Sequence, residues 1–400
     1  MEKKGIFKDK KQVIRMILFV IAFAVAITAF TLGVLGLSKN KEGYQTVDAS
    51  PDEEAVLYAS DFTLIYYFQG RSGEIKELRK EISATYSAAL SRAYKLLDKN
   101  NSYEGFVNLA TLNSKPGENV KVSTELYAIL KDAYSKTLKG QGYNMFAGAL
   151  YDYVNSILIL EDPEEFDPLN NSETAERIKL LAELAQEKNF GLRFIDDNEC
   201  TVCFEVTDTY KNGVEELETA DAAPLDLNLL KDAYILEIVI KALDNAGFTN
   251  GYISSKSGLT VALSGHDDLK YGIYGIKGSD PAILKTIESD GRAVYSLIKA
   301  FGFGNESMYY TIMHDGVKVY RNPFISAADG ESNSRLLTKY LVWYQNENAG
   351  QKENYVVDTL YENLTGWFGT AGTQTGVKYH SYAVGRQKTD EILEGYEILQ

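Results

Sequence analysis

Two carboxylates near the C-terminus are spaced so that they could bind one cation together. Asp358 and Glu362 stand four residues apart in the stretch YVVDTLYENLTG, within a helix predicted over residues 352–364. A spacing of i, i+4 places both side chains on one helix face. Carboxylate oxygens are hard ligands that suit Mg²⁺ or Ca²⁺. The alternative is a pair of charges on a solvated helix face, because like charges at this spacing cost only roughly 0.2–0.5 kcal/mol.

The chain has only two cysteines and three histidines, which limits its metal and redox chemistry. Cys200 and Cys203 form a C-x-x-C pattern in NECTVCFEV, which would fit a metal or a redox disulfide. Their neighbours are strand formers, and side chains three residues apart on a strand point to opposite faces. A disulfide needs Cα atoms within about 7 Å, and therefore a turn at Thr201 and Val202. We expect two buried structural thiols and no His/Cys zinc site.

A third candidate is the helix start in LDLNLLKDAYILE, residues 225–237. An extended segment turns into a helix here, and the free backbone N–H groups at a helix N-terminus favour a phosphate. The stretch contains no glycine, the residue that lets a phosphate approach the backbone closely. Asn228 can instead cap the helix, with the apolar residues that follow it packed into the core.

The charge of the chain is distributed unevenly. The net charge of the 400 residues is −15, with 45% hydrophobic and 24% charged residues, which is a globular composition. Six basic and two acidic residues give the first 37 residues a charge of +4, so the remainder carries −19. A surface this acidic repels nucleic-acid phosphates, and we expect no nucleic-acid binding.

The N-terminus contains a long apolar segment. The 22 residues MILFVIAFAVAITAFTLGVLGL, 16–37, carry no charge and are long enough to span a bilayer as a helix. A cleavable signal peptide is the alternative, but its apolar region is shorter, about 7 to 15 residues, and ends at a small-x-small site. We predict an uncleaved anchor in the cell membrane. The basic residues before it keep the N-terminus in the cytoplasm and place the rest outside.

The remaining chain alternates between helical and strand patterns. The predicted order is a basic tail over 1–15, the anchor over 16–37, a polar linker over 38–55 and one mixed α/β (α+β) domain over 56–400. Helices are predicted over 73–98, from Ser123 to Gly140, over 172–188 with Gly191 closing it, near Asn228, and over 352–364. Strands are predicted over 56–68, 192–195, 202–206, 251–255, 259–263, 271–276, 309–313, 317–320, 339–344 and 379–384.

Four segments in this order resemble the ApbE-type FAD:protein FMN transferases, from residue 60 to residue 385. They are VKVSTELYAILKDAYSKTLKGQGYNMFAGALYDYV, LDLNLLKDAYILEIVIKALDNAGFTNGYIS, HDGVKVYRNPFISAADGESNS and YVVDTLYENLTG. The resemblance implies an ApbE-like fold with largely antiparallel sheets flanked by helices, preceded here by the transmembrane helix. It also implies FAD and Mg²⁺ as cofactors, and a partner flavoprotein that receives FMN on a Ser or Thr.

The resemblance assigns roles to seven residues of this chain. It implies flavin-nucleotide contacts for Asn144, Asp226, Asn228 and Arg321. It implies Mg²⁺ ligands at Lys231, through its main-chain carbonyl, and at Asp358 and Glu362. No catalytic residue is predicted.

Asp226 and Asp358 match the family pattern, but the chain departs from it at other positions of the site. Asn228 and Leu229 stand where the family has glycines that admit the pyrophosphate, and Asp232 replaces a lysine. Asn144 replaces a carboxylate, and Arg321 falls near a family histidine. Two functions follow as alternatives. The first is Mg²⁺-dependent transfer of FMN from FAD. The second is a pseudoenzyme, a non-catalytic subunit or docking module of a membrane complex.

Overall fold

The structure is a computed structural model. It describes residues 41–55, 59–140, 142–263, 270–277, 280–288, 293–299, 310–331, 336–344, 355–367, 379–385, 392–393 and 397–398. The predicted tail and anchor lie outside these residues, so the anchor stays a prediction. Within the described part of the chain, no helix is long and apolar enough to cross a membrane.

The described residues contain eight α-helices. They are α1 (Ser72–Leu97), α2 (Leu109–Ser114), α3 (Thr124–Leu138), α4 (Gly148–Leu158), α5 (Ser172–Leu184), α6 (Asp208–Glu216), α7 (Lys231–Asn245) and α8 (Tyr355–Trp367). Short 3-10 turns lie at Glu53–Ala55, Pro163–Phe166, Glu187–Asn189 and Asn228–Leu230.

Sixteen strands are found in the same part of the chain. The first seven are β1 (Gly43–Val47), β2 (Phe62–Phe68), β3 (Asn119–Lys121), β4 (Phe190–Asp196), β5 (Thr201–Val206), β6 (Gly251–Ser255) and β7 (Leu259–Ala262). The others are β8 (Lys270–Lys277), β9 (Asp280–Glu288), β10 (Ala293–Lys299), β11 (Tyr310–His314), β12 (Val317–Arg321), β13 (Leu336–Tyr344), β14 (Tyr379–Gly385), β15 (Ile392–Leu393) and β16 (Glu397–Ile398).

All described strand pairs are antiparallel, which confirms the largely antiparallel sheets of the predicted mixed α/β domain. The main sheet has the order β1-β2-β6-β7-β10-β13-β14-β15, and β16 also pairs with β14. A second sheet has the order β3-β5-β4, and β8-β9 and β11-β12 form separate pairs.

The central helix α7 explains how the layers are joined. α1 and α8 both contact α7, and α8 also contacts β10 and β13 of the main sheet. Most of the α7 side chains are buried, as expected of a helix enclosed by other elements. The sequence pattern of α7 predicts a helix by itself. The central position of this helix in the fold depends on packing against elements on all of its sides.

The best-predicted elements have a strong local pattern. The helix predicted over 73–98 is α1, Ser72–Leu97, and Ser123 caps α3 by accepting a hydrogen bond from the Leu126 N–H at 3.1 Å. β2 begins only at Phe62, so the predicted start of this strand at residue 56 is wrong. Residue 59 is helical, residues 60–61 form a turn, and 56–58 lie outside the described residues.

The predicted end of the third helix is also wrong. α5 ends at Leu184, where the Ala185 N–H bonds to the Leu181 carbonyl at 3.0 Å, and a separate 3-10 turn follows. Gly191 does not close a helix because it belongs to β4 and pairs with Glu205. Cys200 and Cys203 are both buried and free, which confirms the expected thiols.

Candidate functional site

Segment 142–148, between α3 and α4, brings the predicted site segments together. The Asp226 N–H donates to the Met145 carbonyl at 2.8 Å. The Ala327 N–H, from the segment that follows β12, donates to the Gly142 carbonyl at 2.8 Å. The segments containing Asn144, Asp226 and Arg321 therefore converge, as their assignment to one site requires.

Close packing fixes this junction at Gly148. A Cβ at this glycine would lie 2.0 Å from the Ala223 carbonyl oxygen, and the Gly148 N–H donates to the Pro224 carbonyl at 3.2 Å. Only a residue without a Cβ lets α4 begin against the segment leading to Asp226.

Asn144 uses both ends of its amide within the protein. Its Nδ2 donates to the Ala185 carbonyl at 2.6 Å, and its Oδ1 accepts the Phe146 N–H at 2.9 Å. The side chain therefore shapes the 142–148 segment through two contacts within the protein.

Asp226 forms an ion pair with a lysine that sequence analysis did not identify. Lys99 Nζ donates to Asp226 Oδ2 and to Asp152 Oδ1, both at 2.7 Å. Burial lowers the pKa of Lys99, but the two carboxylates outweigh it and raise the pKa overall. Burial raises the pKa of Asp152 more than the ammonium lowers it. We call these three residues the Lys99 cluster.

The start of α7 differs from the predicted cap. α7 begins at Lys231, and its N-cap, Leu230, provides no side-chain hydrogen bond, so the predicted cap by Asn228 is wrong. Asn228 instead opens the preceding 3-10 turn with a φ of +33°, and its N–H donates to Asp226 Oδ1 at 2.8 Å. Its Nδ2 is buried and has no hydrogen-bond partner among the described residues.

Lys231 is the first residue of α7 and lies in an acidic environment. Burial lowers the pKa of its ammonium, and the charges of Asp226, Asp98 and Asp232 oppose this shift. Its Nζ lies 5.8 Å from the centre of the Tyr94 ring. The Lys231 carbonyl, proposed as a metal ligand, is positioned in the helix to accept an N–H one turn later.

Asp358 forms an ion pair with a second buried lysine. Lys136 Nζ lies 2.6 Å from Asp132 Oδ1 and 2.9 Å from Asp358 Oδ1, and only 3% of the Lys136 side chain is exposed. The Tyr234 hydroxyl donates to Asp132 Oδ2 at 2.6 Å. Burial, and after it the nearby carboxylates, raises the pKa of Tyr234 well above its usual value. We call these four residues the Lys136 cluster.

Asp358, as the structure places it, does not fit a magnesium site, because its carboxylate is paired with a lysine ammonium. No group of three or more possible metal-ligating side chains occurs among the residues that the structure describes. Glu362 lies one turn further along α8, but its side chain is outside the described part, so the joint ligation by Asp358 and Glu362 stays a prediction.

Arg321 also makes internal contacts. Its Nε and Nη2 donate to the two oxygens of Asp167 at 2.7 and 3.0 Å, and the Tyr310 hydroxyl donates to the same carboxylate at 2.8 Å. Asp167 has no exposed side-chain surface. Burial raises the pKa of Asp167, but Arg321 outweighs it and the pKa is lowered overall. The pair attaches the loop after α4 to the β11-β12 hairpin.

Comparison with solved structures identifies the fold that holds these residues. The structure is similar to the ApbE protein from Thermotoga maritima, with a TM-score of 0.54 and 14% sequence identity, over 86% of this chain and 94% of that chain. The chain has the ApbE fold. A mutant of the flavin transferase ApbE from Vibrio cholerae matches with a TM-score of 0.47 and 12% identity, over 84% of this chain and 93% of that chain.

The ApbE fold confirms the resemblance inferred from the four sequence segments at the level of the fold. No protein-family model matches the sequence, and no curated protein is significantly similar to it. The likeness to the Thermotoga maritima protein, at 14% identity, shows the ApbE fold alone and assigns no activity to this chain.

The lysines of the two clusters were missed by sequence reasoning, although one of them left a signal. Lys136 lies three residues after Ala133 and seven after Ile129, which places a charge on the apolar face of α3. Asp132 precedes it by four residues, the spacing of a helix ion pair. Lys99 has no comparable signal, because it follows α1 in a polar loop.

Proposed function

We propose that this chain uses the ApbE fold as a non-catalytic docking subunit of a membrane complex and does not transfer FMN from FAD. One observation carries the proposal: Asn144, Asp226, Arg321 and Asp358 all bind partners within the protein. In an enzyme site these groups are kept available for the ligand. Here their hydrogen bonds and ion pairs join elements of the fold.

The acidic start of α7 adds to this argument. Asp226, Asp98 and Asp232 lie close enough to Lys231 to act on its charge. The negative charges of these three carboxylates oppose the approach of a pyrophosphate, even with Lys99 and Lys231 nearby. The residues therefore do not fit FAD, and no reaction step is assigned to it.

The loop after α4 offers a surface for docking. Its exposed apolar residues are Ile159, Leu160, Phe166 and Leu169, with exposed fractions from 42% to 65%. The exposed acidic residues between them are Glu161, Asp162, Glu164 and Glu165. Exposed apolar groups rimmed by charge are typical of protein contact sites. The partner that fits this 159–169 loop is a protein surface with an apolar pocket and basic residues around it.

The predicted anchor completes the proposal. With residues 16–37 in the membrane, the domain is held at its outer surface, where it can contact the external part of a membrane complex. Full-length protein should resist extraction from membranes at alkaline pH, whereas a chain starting at residue 38 should not. Release of the full-length chain would contradict the anchor.

A flavin assay tests the proposed loss of transfer. Full-length protein in detergent micelles is incubated with FAD and Mg²⁺, with an active flavin transferase as positive control. We expect no flavin absorbance retained after gel filtration and no AMP release. AMP release above the level of a heat-denatured sample would overturn the proposal.

The docking role is tested separately with a matched pair of variants. Ile159→Ser/Phe166→Ser removes apolar area from the 159–169 loop, and Leu138→Ser removes it outside this loop, at the end of α3, where Leu138 is 52% exposed. We expect wild type and Leu138→Ser to elute from detergent-solubilised membranes in the same larger complex, and the double variant to elute without it. Equal elution of all three would exclude this loop as the docking surface.

A further inference from the structure

We propose that the Lys136 ammonium is a built-in substitute for a divalent cation, and that removing it converts Asp132 and Asp358 into a divalent-cation site. The inference deepens the proposed function and rests on it, because it explains how the ApbE fold is held together without Mg²⁺.

Lys136 joins three helices at one buried point. Asp132 comes from the preceding turn of α3, Asp358 comes from α8, and Tyr234 of α7 hydrogen-bonds to Asp132. The Tyr361 hydroxyl of α8 also donates to the Lys136 carbonyl at 3.2 Å. The ammonium therefore does what a bound metal ion does in other folds, which is to hold carboxylates from separate elements side by side.

The charges explain why a cation is required here. Two carboxylates near one ammonium leave the cluster at a net charge of −1. Without the ammonium, Asp132 and Asp358 would lose the positive charge that they share. Removing one partner of a buried ion pair leaves an uncompensated charge, which is strongly destabilising.

The two carboxylates of the Lys136 cluster are partly exposed to solvent. The Asp132 and Asp358 side chains are 20% and 18% exposed, whereas Lys136 is 3% exposed. A hydrated Mg²⁺ needs only one or two carboxylates and keeps several waters. An ion could therefore reach the two carboxylates once the ammonium is gone, and the intact ammonium repels it.

The test replaces Lys136 by a neutral side chain of similar length. Wild type, Lys136→Met and the surface control Lys131→Met are purified as full-length chains, and their melting temperatures are compared in EDTA, MgCl₂ and CaCl₂ at matched ionic strength. We expect wild type and Lys131→Met to be unaffected by the cation. Lys136→Met should melt about 5 °C or more below wild type in EDTA and recover most of this loss with Mg²⁺ or Ca²⁺.

A double variant tests whether the cation binds where it is proposed to bind. Lys136→Met/Asp358→Asn lacks one of the two carboxylates and should lose the cation-dependent shift. Tb³⁺ luminescence sensitised by the nearby tyrosines should appear in Lys136→Met and be absent in the double variant.

Two results would overturn the inference. One is a Lys136→Met protein whose folding is the same in EDTA and in excess cation, including one that fails to fold in both. The other is stabilisation of the wild-type protein by Mg²⁺ that is lost in Asp358→Asn, because a cation would then bind at Asp358 with the ammonium in place. None of these measurements uses FAD, so they are independent of the transferase assay.

Discussion

Asp167 illustrates how a charged residue can be fully committed to the fold. Its carboxylate has no exposed surface and accepts hydrogen bonds from Arg321, Tyr310 and the Leu169 N–H. Sequence similarity placed Arg321 in a nucleotide site, but it could not show Asp167, which lies in a distant part of the chain. Contacts between residues far apart in sequence leave no local pattern, whereas the Ser123 cap does.

We predict that Arg321→Met destabilises the protein strongly. The substitution leaves the Asp167 charge buried without its main partner, which should lower the free energy of unfolding by about 3 kcal/mol or more. Arg193→Met is the matched control, because Arg193 pairs with Glu205 at the surface with a side chain that is 56% exposed. Its effect should stay within about 1 kcal/mol.

Urea unfolding of both variants measures the difference. A nucleotide-binding role for Arg321 would give the opposite pattern, with unchanged stability and a change in FAD binding. The proposal of a structural Arg321 fails if the two arginine variants unfold at the same urea concentration.

At the scale of elements, the sequence predicts best where a regular pattern runs through many residues. α1 has its predicted bounds to within one residue because its apolar period is sustained over its whole length. Short helices such as α2 and α6 were missed because they contain too few turns to show a period. The end of α5 was missed because Gly191, a typical helix terminator, is used in a strand.

Gly148 provides a prediction about how two elements meet. Gly148→Ala places a Cβ 2.0 Å from the Ala223 carbonyl oxygen, so α4 must shift away from the segment leading to Asp226. We expect a loss of about 1–3 kcal/mol in unfolding free energy. Gly73→Ala is the control, because Gly73 lies in α1 with open space around its Cβ, and alanine should be neutral or stabilising there.

Thermal unfolding of the two glycine variants measures this effect. Equal melting temperatures would show that the junction at Gly148 can relax without cost. The position of Asp226 would then not depend on this close contact.

At the scale of the whole molecule, the acidic character predicts how stability depends on pH. The folded-state pKa values of Asp98 and Asp167 are lowered: burial opposes the shift, and hydrogen bonds to each carboxylate overcome it. A group whose pKa is lower when folded contributes stability above its unfolded pKa, near 3.9, and loses this contribution as the pH falls through the folded value. The raised pKa of Asp152 acts in the opposite direction.

We therefore expect urea midpoints that change little between pH 7 and 5 and fall steeply below about pH 4. Urea titrations at pH 7, 5, 4 and 3 measure this profile. Asp167→Asn/Arg321→Met lacks one of the two groups with lowered pKa, so its midpoint should fall less between pH 5 and 3. Parallel profiles for wild type and this variant would remove Asp167 from the explanation.

The whole molecule also shows where sequence reasoning reached its limit. The order of segments was enough to predict the fold, because each segment keeps its place along the chain. The state of the site was not predictable to the same depth. It depends on Lys99 and Lys136 meeting carboxylates from other elements, which only the three-dimensional arrangement brings together.

The backbone at Asn228 determines which residues this helix start can tolerate. Its positive φ suits glycine, the residue that the resemblance places here, and its buried Nδ2 has no partner among the described residues. Asn228→Gly should therefore keep the free energy of unfolding within about 1 kcal/mol of wild type, as urea unfolding can measure, because the greater freedom of unfolded glycine is offset by relief of the left-handed backbone and of the unpaired donor. A larger loss would show that the asparagine side chain is needed for folding. A glycine at this helix start is therefore compatible with the stability of the fold, whereas removing Lys99 or Lys136 from its buried ion pairs would destabilise it strongly.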